Sequence, residues 1–173
     1  MNPETTTAAE LLDRVDDHNR VIGQVERSQV HGNPGLQHRA VHVFVRNRAG
    51  AIFLQQRALT KEIQPGRWDT SVGGHVGAGE AYSGAACREL AEELGRRVVA
   101  SELDQLHDYV WGTDVETEHV RTFALLDEGP FVLHPDEIAA GRFWSNDELR
   151  AAIGSGQLTP NLEHELDLLG LAW

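Results

Sequence analysis

The sequence has one cysteine, few basic residues and no long apolar run. Cys87 has no second cysteine to pair with, so no intrachain disulfide forms and nothing points to an oxidising compartment. No stretch approaches the ~20 apolar residues of a membrane span. Met1 to Arg14 lacks the basic start and apolar core of a signal peptide. A soluble, cytoplasmic protein without a membrane partner is therefore expected. Fifteen Lys and Arg against 27 Asp and Glu leave a formal net charge of −12. A sequence-independent grip on nucleic acid needs clustered cations, so nucleic acid is not expected as a partner. An anionic small molecule remains open, because bound cations invert a local negative field.

The chain also lacks internal repeats and low-complexity tracts. Its 173 residues, 40% hydrophobic and 24% charged, suit one compact domain and are too few for two ordinary ones. Residues 1–10 are polar and expected to be loose, leaving 11–173 as a single domain. Leu11 to Val15 and Arg20 to Val25 flank Asp16-Asp17-His18-Asn19, which is good turn chemistry for a hairpin. Arg27 to Gln37 reads as loop with at most a short helix. Ala40 to Arg46 and Ala51 to Arg57 are β-rich and joined by Asn47-Arg48-Ala49-Gly50, a second hairpin. A short strand is expected over Asp69 to Val72, broken by Gly73-Gly74. Further strands are expected near His107 to Trp111, His119 to Leu126 and Arg142 to Trp144. Ser145 with Glu148 three residues on makes a capping box for one helix. Another helix should run from Thr159 or Pro160 to Leu169. Its leucines 162, 166 and 169 form a stripe suited to closing the core or to a contact between two copies of the chain. The order gives an α/β (α+β) sandwich with a mixed sheet between helices.

The most informative segment is Gly74 to Gly95, GHVGAGEAYSGAACRELAEELG. On a helix over Ala81 to Leu94, the side chains of Ser83, Cys87, Leu90, Ala91 and Leu94 share a small, apolar packing face. Glu89, Glu92 and Glu93 fall on the opposite face at spacings i, i+3 and i+4, with Ala85 and Ala86 leaving room one turn before them. A solvated acidic face is the plain alternative. It fits poorly, because three like charges at these spacings repel and Arg88 is the only cation nearby. A hard divalent ion, Mg²⁺ or Mn²⁺, relieves that repulsion and accepts water and phosphate oxygens in its other positions. Gly73, Gly74, Gly77 and Gly79 make a loop that can approach a phosphate closely. Glu80 enters the helix at its positive end and can reach back to Arg88. Trp68, Tyr82, Tyr109 and Trp111 could stack on a base, but large aromatics more often pack, and no nucleobase site is assigned.

Gly74, Glu80, Arg88, Glu89, Leu90, Glu92, Glu93 and Gly95 resemble, position for position, the Nudix box. Only its final aliphatic departs, being Arg96. The resemblance implies a Nudix-type α/β/α sandwich and metal-dependent hydrolysis of a diphosphate bond in a nucleoside-diphosphate-type or other small organic diphosphate. It implies Glu89, Glu92, Glu93 and the Gly73 carbonyl as metal ligands. Arg88 and Glu80 would orient the helix, and Glu89 or a downstream glutamate would act as general base.

A wider likeness over roughly Val15 to Trp144 resembles the branch containing type I isopentenyl-diphosphate isomerase. It rests on His31 and His38 seven apart, LQQRALTKEIQPGRW, SVGGHV and Glu116-Thr117-Glu118. It implies a second metal set of His31, His38, His75, Glu116 and Glu118. Arg57 and Lys61 are candidate diphosphate contacts, the first forking onto oxygens and the second adding a point charge. The isomerase uses a cysteine where this chain has Gly73, and of the three helix carboxylates it keeps a counterpart only of Glu93. The sequence therefore reads as a hydrolase, with the isomerase and a catalytically silent Nudix binding module as alternatives.

Overall fold

The computed structural model describes residues 10–170. The expected loose segment 1–10 falls, but for Glu10, outside the described residues. Strands β1 (Leu11–Val15) and β2 (Val21–Glu26) form the expected hairpin as a separate two-stranded sheet, followed by the single-turn helix α1 (Arg27–Val30). The main sheet begins with β3 (His38–Arg46), whose alternation serves two faces. Val41, Val43 and Val45 point into one core and Phe44 into the other.

Strand β4 (Ile52–Arg57) pairs with β3 only through Val45↔Phe53 and Arg46↔Ile52. Beyond that the expected hairpin opens. β5 (Trp68–Asp69) adds to β4, and β6 (Val72–His75) takes over β3 along Ala40↔His75 to Val43↔Val72. The strand expected at Asp69 to Val72 is thus two strands, broken at Thr70-Ser71, and Gly73-Gly74 lies inside β6. Glycine tolerates extended backbone, and here the pairing with β3 holds it there.

Helix α2 (Tyr82–Leu94) ends at Gly95 (φ 66°), whose left-handed backbone sends its N–H to the Leu90 carbonyl. Arg96 bonds Asp127 at 2.6 Å, so the one departure from the box leaves the helix exit intact. Strands β7 (Asp104–Gly112), β8 (Thr117–Leu126) and β9 (Ile138–Trp144) complete the sheet. β8 runs parallel to β3 in the register His38↔Glu118 to Arg46↔Leu126, and β9 covers the other edge of β4. α3 (Asn146–Ala152) starts with the expected Ser145–Glu148 capping box, and α4 (Pro160–Leu168) is capped by the Thr159 hydroxyl.

One core joins α2 to the sheet through Leu90, Leu94, Ala85 and Ala86. The other buries Leu162 and Leu166 of α4 with Phe44, Ile52 and Leu54. Of the two uses open to the leucine stripe, Leu162 and Leu166 close the core, with Leu169 packed beside them. The result is a sheet between helices, the expected α/β/α sandwich. Among the described residues no helix is long and apolar enough to cross a membrane.

Candidate active site

Because β4 and β6 each take a different stretch of β3, they diverge, and a cavity of about 850 Å³ opens there. Gln55, Arg57, Lys61 and Asp69 line it together with Gly73, Gly74, Glu89, Glu92 and Glu93. The sequence-predicted carboxylates therefore share one cleft, but unequally. Glu92 is exposed, Glu89 half-buried and Glu93 buried. The packing face of α2 is also rotated from the one expected. Its buried residues are Ala85, Ala86, Leu90, Glu93 and Leu94, while Ser83, Cys87 and Ala91 are half-buried. Ala85 and Ala86 therefore let the helix approach the sheet instead of leaving room beside the carboxylates.

Arg88 organises this wall. Its guanidinium bonds both oxygens of Glu80 at 3.0 Å, the His75 carbonyl at 2.9 Å and Glu89 at 2.6 Å, with Glu92 at 3.4 Å. Glu80 also accepts the Gly77 N–H at 2.9 Å. This ties the loop to the helix, and the Glu80 hydrogen bonds hold the Arg88 proton more tightly than usual. Glu89 lies directly on Gly74, where a Cβ would overlap its carboxyl carbon. A side chain at 74 would push the Glu89 carboxyl aside. Burial pushes the Glu89 carboxyl up to about 7 against the pull of Arg88, and burial with repulsion from Glu89 pushes Glu93 up to about 8. Glu93 is held by the Gln55 side-chain amide at 2.8 Å, and among the described residues no cation pairs with it.

The second cluster reaches the same cavity through His75, Glu116 and Glu118. The parallel register puts Glu118 beside His38, and the β3–β6 pairing puts His75 across from Ala40. Ligand atoms of His38, His75, Glu116 and Glu118 all lie within 4.8 Å of one another. Glu118 Oε1 is 3.6 Å from His38 and 3.7 Å from His75. His31, the fifth expected member, falls outside this group, although its Nδ1 is 3.3 Å from Glu116 Oε2. That contact is poorly aligned, and Glu116 Oε2 and His38 Nε2 are buried without a hydrogen bond. The His38 Nδ1–H donates to the Leu36 carbonyl at 3.2 Å, which turns Nε2 toward the cluster. Burial pushes Glu116 up to about 7 and His75 down to about 4. Burial also opposes the charge on Glu118, but His38 and His75 outweigh it and hold its carboxyl below the usual range. The histidine–glutamate cluster thus contains buried ligand atoms short of partners, and the α2 carboxylates repel one another at partial burial; both arrangements fit divalent cations.

The candidate phosphate contacts are already engaged. Arg57 pairs with Asp69 at 3.1 Å and Lys61 with Glu137 at 2.7 Å, both at the cavity wall. Of the four aromatics considered for stacking, only Trp111 lines the cavity. Trp68 packs on Trp144 at 5.2 Å, Tyr82 donates to the His119 carbonyl, and Tyr109 donates to Asn161.

Sequence reading missed Gln55 and a buried group at the cavity floor. There His42 Nδ1 donates to Glu165 at 3.0 Å, and Thr122 donates to the other Glu165 oxygen at 2.6 Å. Glu165 is fully buried, and burial works against a charge on His42, yet the carboxylate lifts His42 to about 9. A signal existed. Glu165 lies three residues after Leu162 on the apolar stripe, and His42 interrupts the run AVHVFV.

A mixed sheet between helices, with a glycine loop and an acidic helix lining one cavity, is the architecture of the Nudix class. The NUDIX domain family model matches residues 36–162. An uncharacterised Nudix hydrolase of Streptomyces coelicolor is 47% identical over 90 residues, a match spanning 52% of this chain and only 49% of that relative. One from Pseudomonas aeruginosa is 35% identical over 141 residues, 78% of each chain. An isopentenyl-diphosphate Delta-isomerase of Streptomyces coelicolor is 36% identical over 148 residues, 83% of this chain and 75% of that one. Among solved structures, a Deinococcus radiodurans protein superposes with TM-score 0.77 at 27% identity, covering 92% of this chain and 98% of that one. The chain belongs to the Nudix family, on the side of it shared by Nudix hydrolases and isopentenyl-diphosphate isomerases.

Proposed function

We propose that this protein hydrolyses a diphosphate bond in a small organic diphosphate, with Mg²⁺ or Mn²⁺ held by Glu89, Glu92, Glu93 and the Gly73 carbonyl. The observation that carries this reading is one cavity lined both by the helix carboxylates and by Arg57 and Lys61. Partly buried carboxylates that repel one another suit a cation better than they suit solvent. When bound, such an ion offsets charge on phosphate oxygens and lowers the pKa of water.

The protein's own groups supply the rest. Arg57 and Lys61 exchange Asp69 and Glu137 for phosphate oxygens and fix the diphosphate across the cleft. Arg88 and Glu80 hold the loop against the helix, so that the Gly73 carbonyl and Glu89 keep one geometry. Glu89 or a downstream glutamate accepts the proton of the attacking water. No covalent nucleophile is required. His38, His75, Glu116 and Glu118, with His31 beside them, form a second cation site in this reading.

The test is incubation with nucleoside diphosphates and triphosphates, nucleotide sugars and prenyl diphosphates, with and without Mg²⁺. Metal-dependent release of phosphate or a phosphomonoester is expected. A broad panel giving none would sink the hydrolase reading.

The histidine–glutamate cluster favours one competing reading, isomerisation of isopentenyl diphosphate. Position 73 opposes it. A cysteine there would place its Cβ 3.1 Å from His42 Cδ2, and glycine has no proton to give. Deuterium incorporation from heavy water into an allylic product is the discriminating measurement, and none is expected.

A further inference from the structure

Resting on the diphosphate-hydrolase reading, we propose that the N-terminal hairpin belongs to the metal site, with Asp13 as the positioning residue that fixes the loop between β6 and α2. Residues 76–81 form that loop and join Gly73 and Gly74 to the helix carboxylates. The loop's backbone N–H groups find their acceptors one by one. Val76 donates to the Arg39 carbonyl at 3.0 Å, Gly77 to the Glu80 carboxylate at 2.9 Å and Glu80 to the Gly77 carbonyl at 2.9 Å. The remaining two acceptors come from β1. Ala78 donates to the Leu11 carbonyl at 2.9 Å, and Gly79 donates to Asp13 Oδ2 at 3.0 Å. Among the described residues, Asp13 is the only side chain outside the loop and α2 that accepts one of these N–H groups.

Asp13 is buried, and burial of a carboxylate is costly unless partners meet it. Those partners are the Gly79 N–H and, at 3.8 Å, Arg39. The hairpin turn supplies a second hold. Asn19, left-handed at φ 59°, accepts from the Arg39 guanidinium through its side chain and its own carbonyl, each at 2.7 Å. Its amide donates to the hydroxyl of Tyr82, the first residue of α2, at 3.1 Å. The path from Asp13 to the ligands is short. Gly79 lies in the turn from 77 to 80, Glu80 holds Arg88, and Arg88 holds the His75 carbonyl and Glu89. Without Asp13 the Gly79 N–H loses its acceptor, the turn loosens, and Glu80 and Arg88 set Glu89 less firmly.

The test measures Mn²⁺ binding to the intact protein by calorimetry, alongside amide hydrogen exchange over residues 76–81. The binding step abolished by Glu93→Gln identifies the α2 site. There, Asp13→Ala is expected to weaken Mn²⁺ about tenfold and to speed exchange at residues 78–80 by a similar factor. Asp13→Asn, which keeps an acceptor oxygen, should recover most of the affinity. Leu149→Val, in the core on the α4 side of the sheet, should lower the melting temperature yet leave Mn²⁺ affinity within about twofold. Should Asp13→Ala fail to fold, Asn19→Gly suits the left-handed backbone and should weaken Mn²⁺ about threefold. Unchanged affinity in the folded variants, or equal weakening in Leu149→Val, would overturn the proposal. A binding curve unaltered by Glu93→Gln would remove the α2 metal site and Asp13's role with it. Phosphate release is scored separately. Weakened metal binding in Asp13→Ala without turnover in the unaltered protein would remove the hydrolase reading and leave the role of Asp13 standing; turnover with metal affinity unmoved would do the reverse.

Discussion

The acidic wall on α2 and the histidine–glutamate cluster share one cavity but solve the problem of buried charge differently. On α2, three carboxylates from five consecutive residues face one intimate cation, Arg88, which reaches Glu89 and Glu92 but not Glu93. Repulsion and burial there push the two more buried carboxyls up to about 7 and 8. In the cluster, His38 and His75 share Glu118 between them, and that carboxyl stays below its usual range. One region relieves its repulsion by holding protons on carboxyls; the other pairs carboxylate with imidazole and is short of hydrogen bonds. The difference teaches that a metal at α2 would change the local charge most, and one at the cluster would mainly complete coordination.

Several substitutions sharpen or break that contrast. The largest effect is expected from Glu93→Gln or Glu92→Gln, which should lower turnover at least about a hundredfold with the fold intact. Steady-state phosphate release and thermal unfolding together measure this; a loss below tenfold for both would move the chemistry away from α2. Next comes Gly74→Ala, whose Cβ displaces the Glu89 carboxyl and should cost about tenfold or more in kcat. Full activity in that variant would show that the close approach of Glu89 is unimportant.

Paired substitution of His75→Ala and Glu118→Gln should remove about one bound divalent ion per chain in equilibrium dialysis, with a smaller loss of turnover than at Glu93. Unchanged stoichiometry would leave the cluster a purely structural network.

The smallest effect concerns pH. Glu89 and Glu93 titrate at about 7 and 8 in the fold, against a usual value of 4.5. Between roughly pH 4.5 and 8 the folded state therefore binds more protons than the unfolded chain. The stability of the metal-free protein should fall as pH rises through that window. Added Mg²⁺ or Mn²⁺ should raise the melting temperature by more at pH 8 than at pH 5, because ions bind the deprotonated ligands. A stabilisation independent of pH would argue against these carboxyls as ligands.

How much of this was legible beforehand differs between the two regions. The helix and its Glu89, Glu92, Glu93 spacing follow from a 3.6-residue period within one segment, and the box positions lie within one stretch of chain. Even there, the depth of each carboxylate was not readable. Glu93 was expected on an outward face and is buried, because α2 packs through Ala85 and Ala86 and turns that side toward β4. The cluster could be suspected from residue types alone. Which four of its five members converge depended on the register of β3 against β8 and β6, with His31 left aside.

By itself the sequence determined the alternation of strands and helices, the Ser145 cap, and the run of carboxylates on α2. Each depends on neighbours within a turn or a pleat. Only the tertiary structure decided that the first long hairpin opens after two residue pairs and that Glu165 reaches His42 across 123 positions of chain. Such pairings are set by register and layer packing over the whole domain, and local periodicity carries no information about which distant partner a strand or helix will meet.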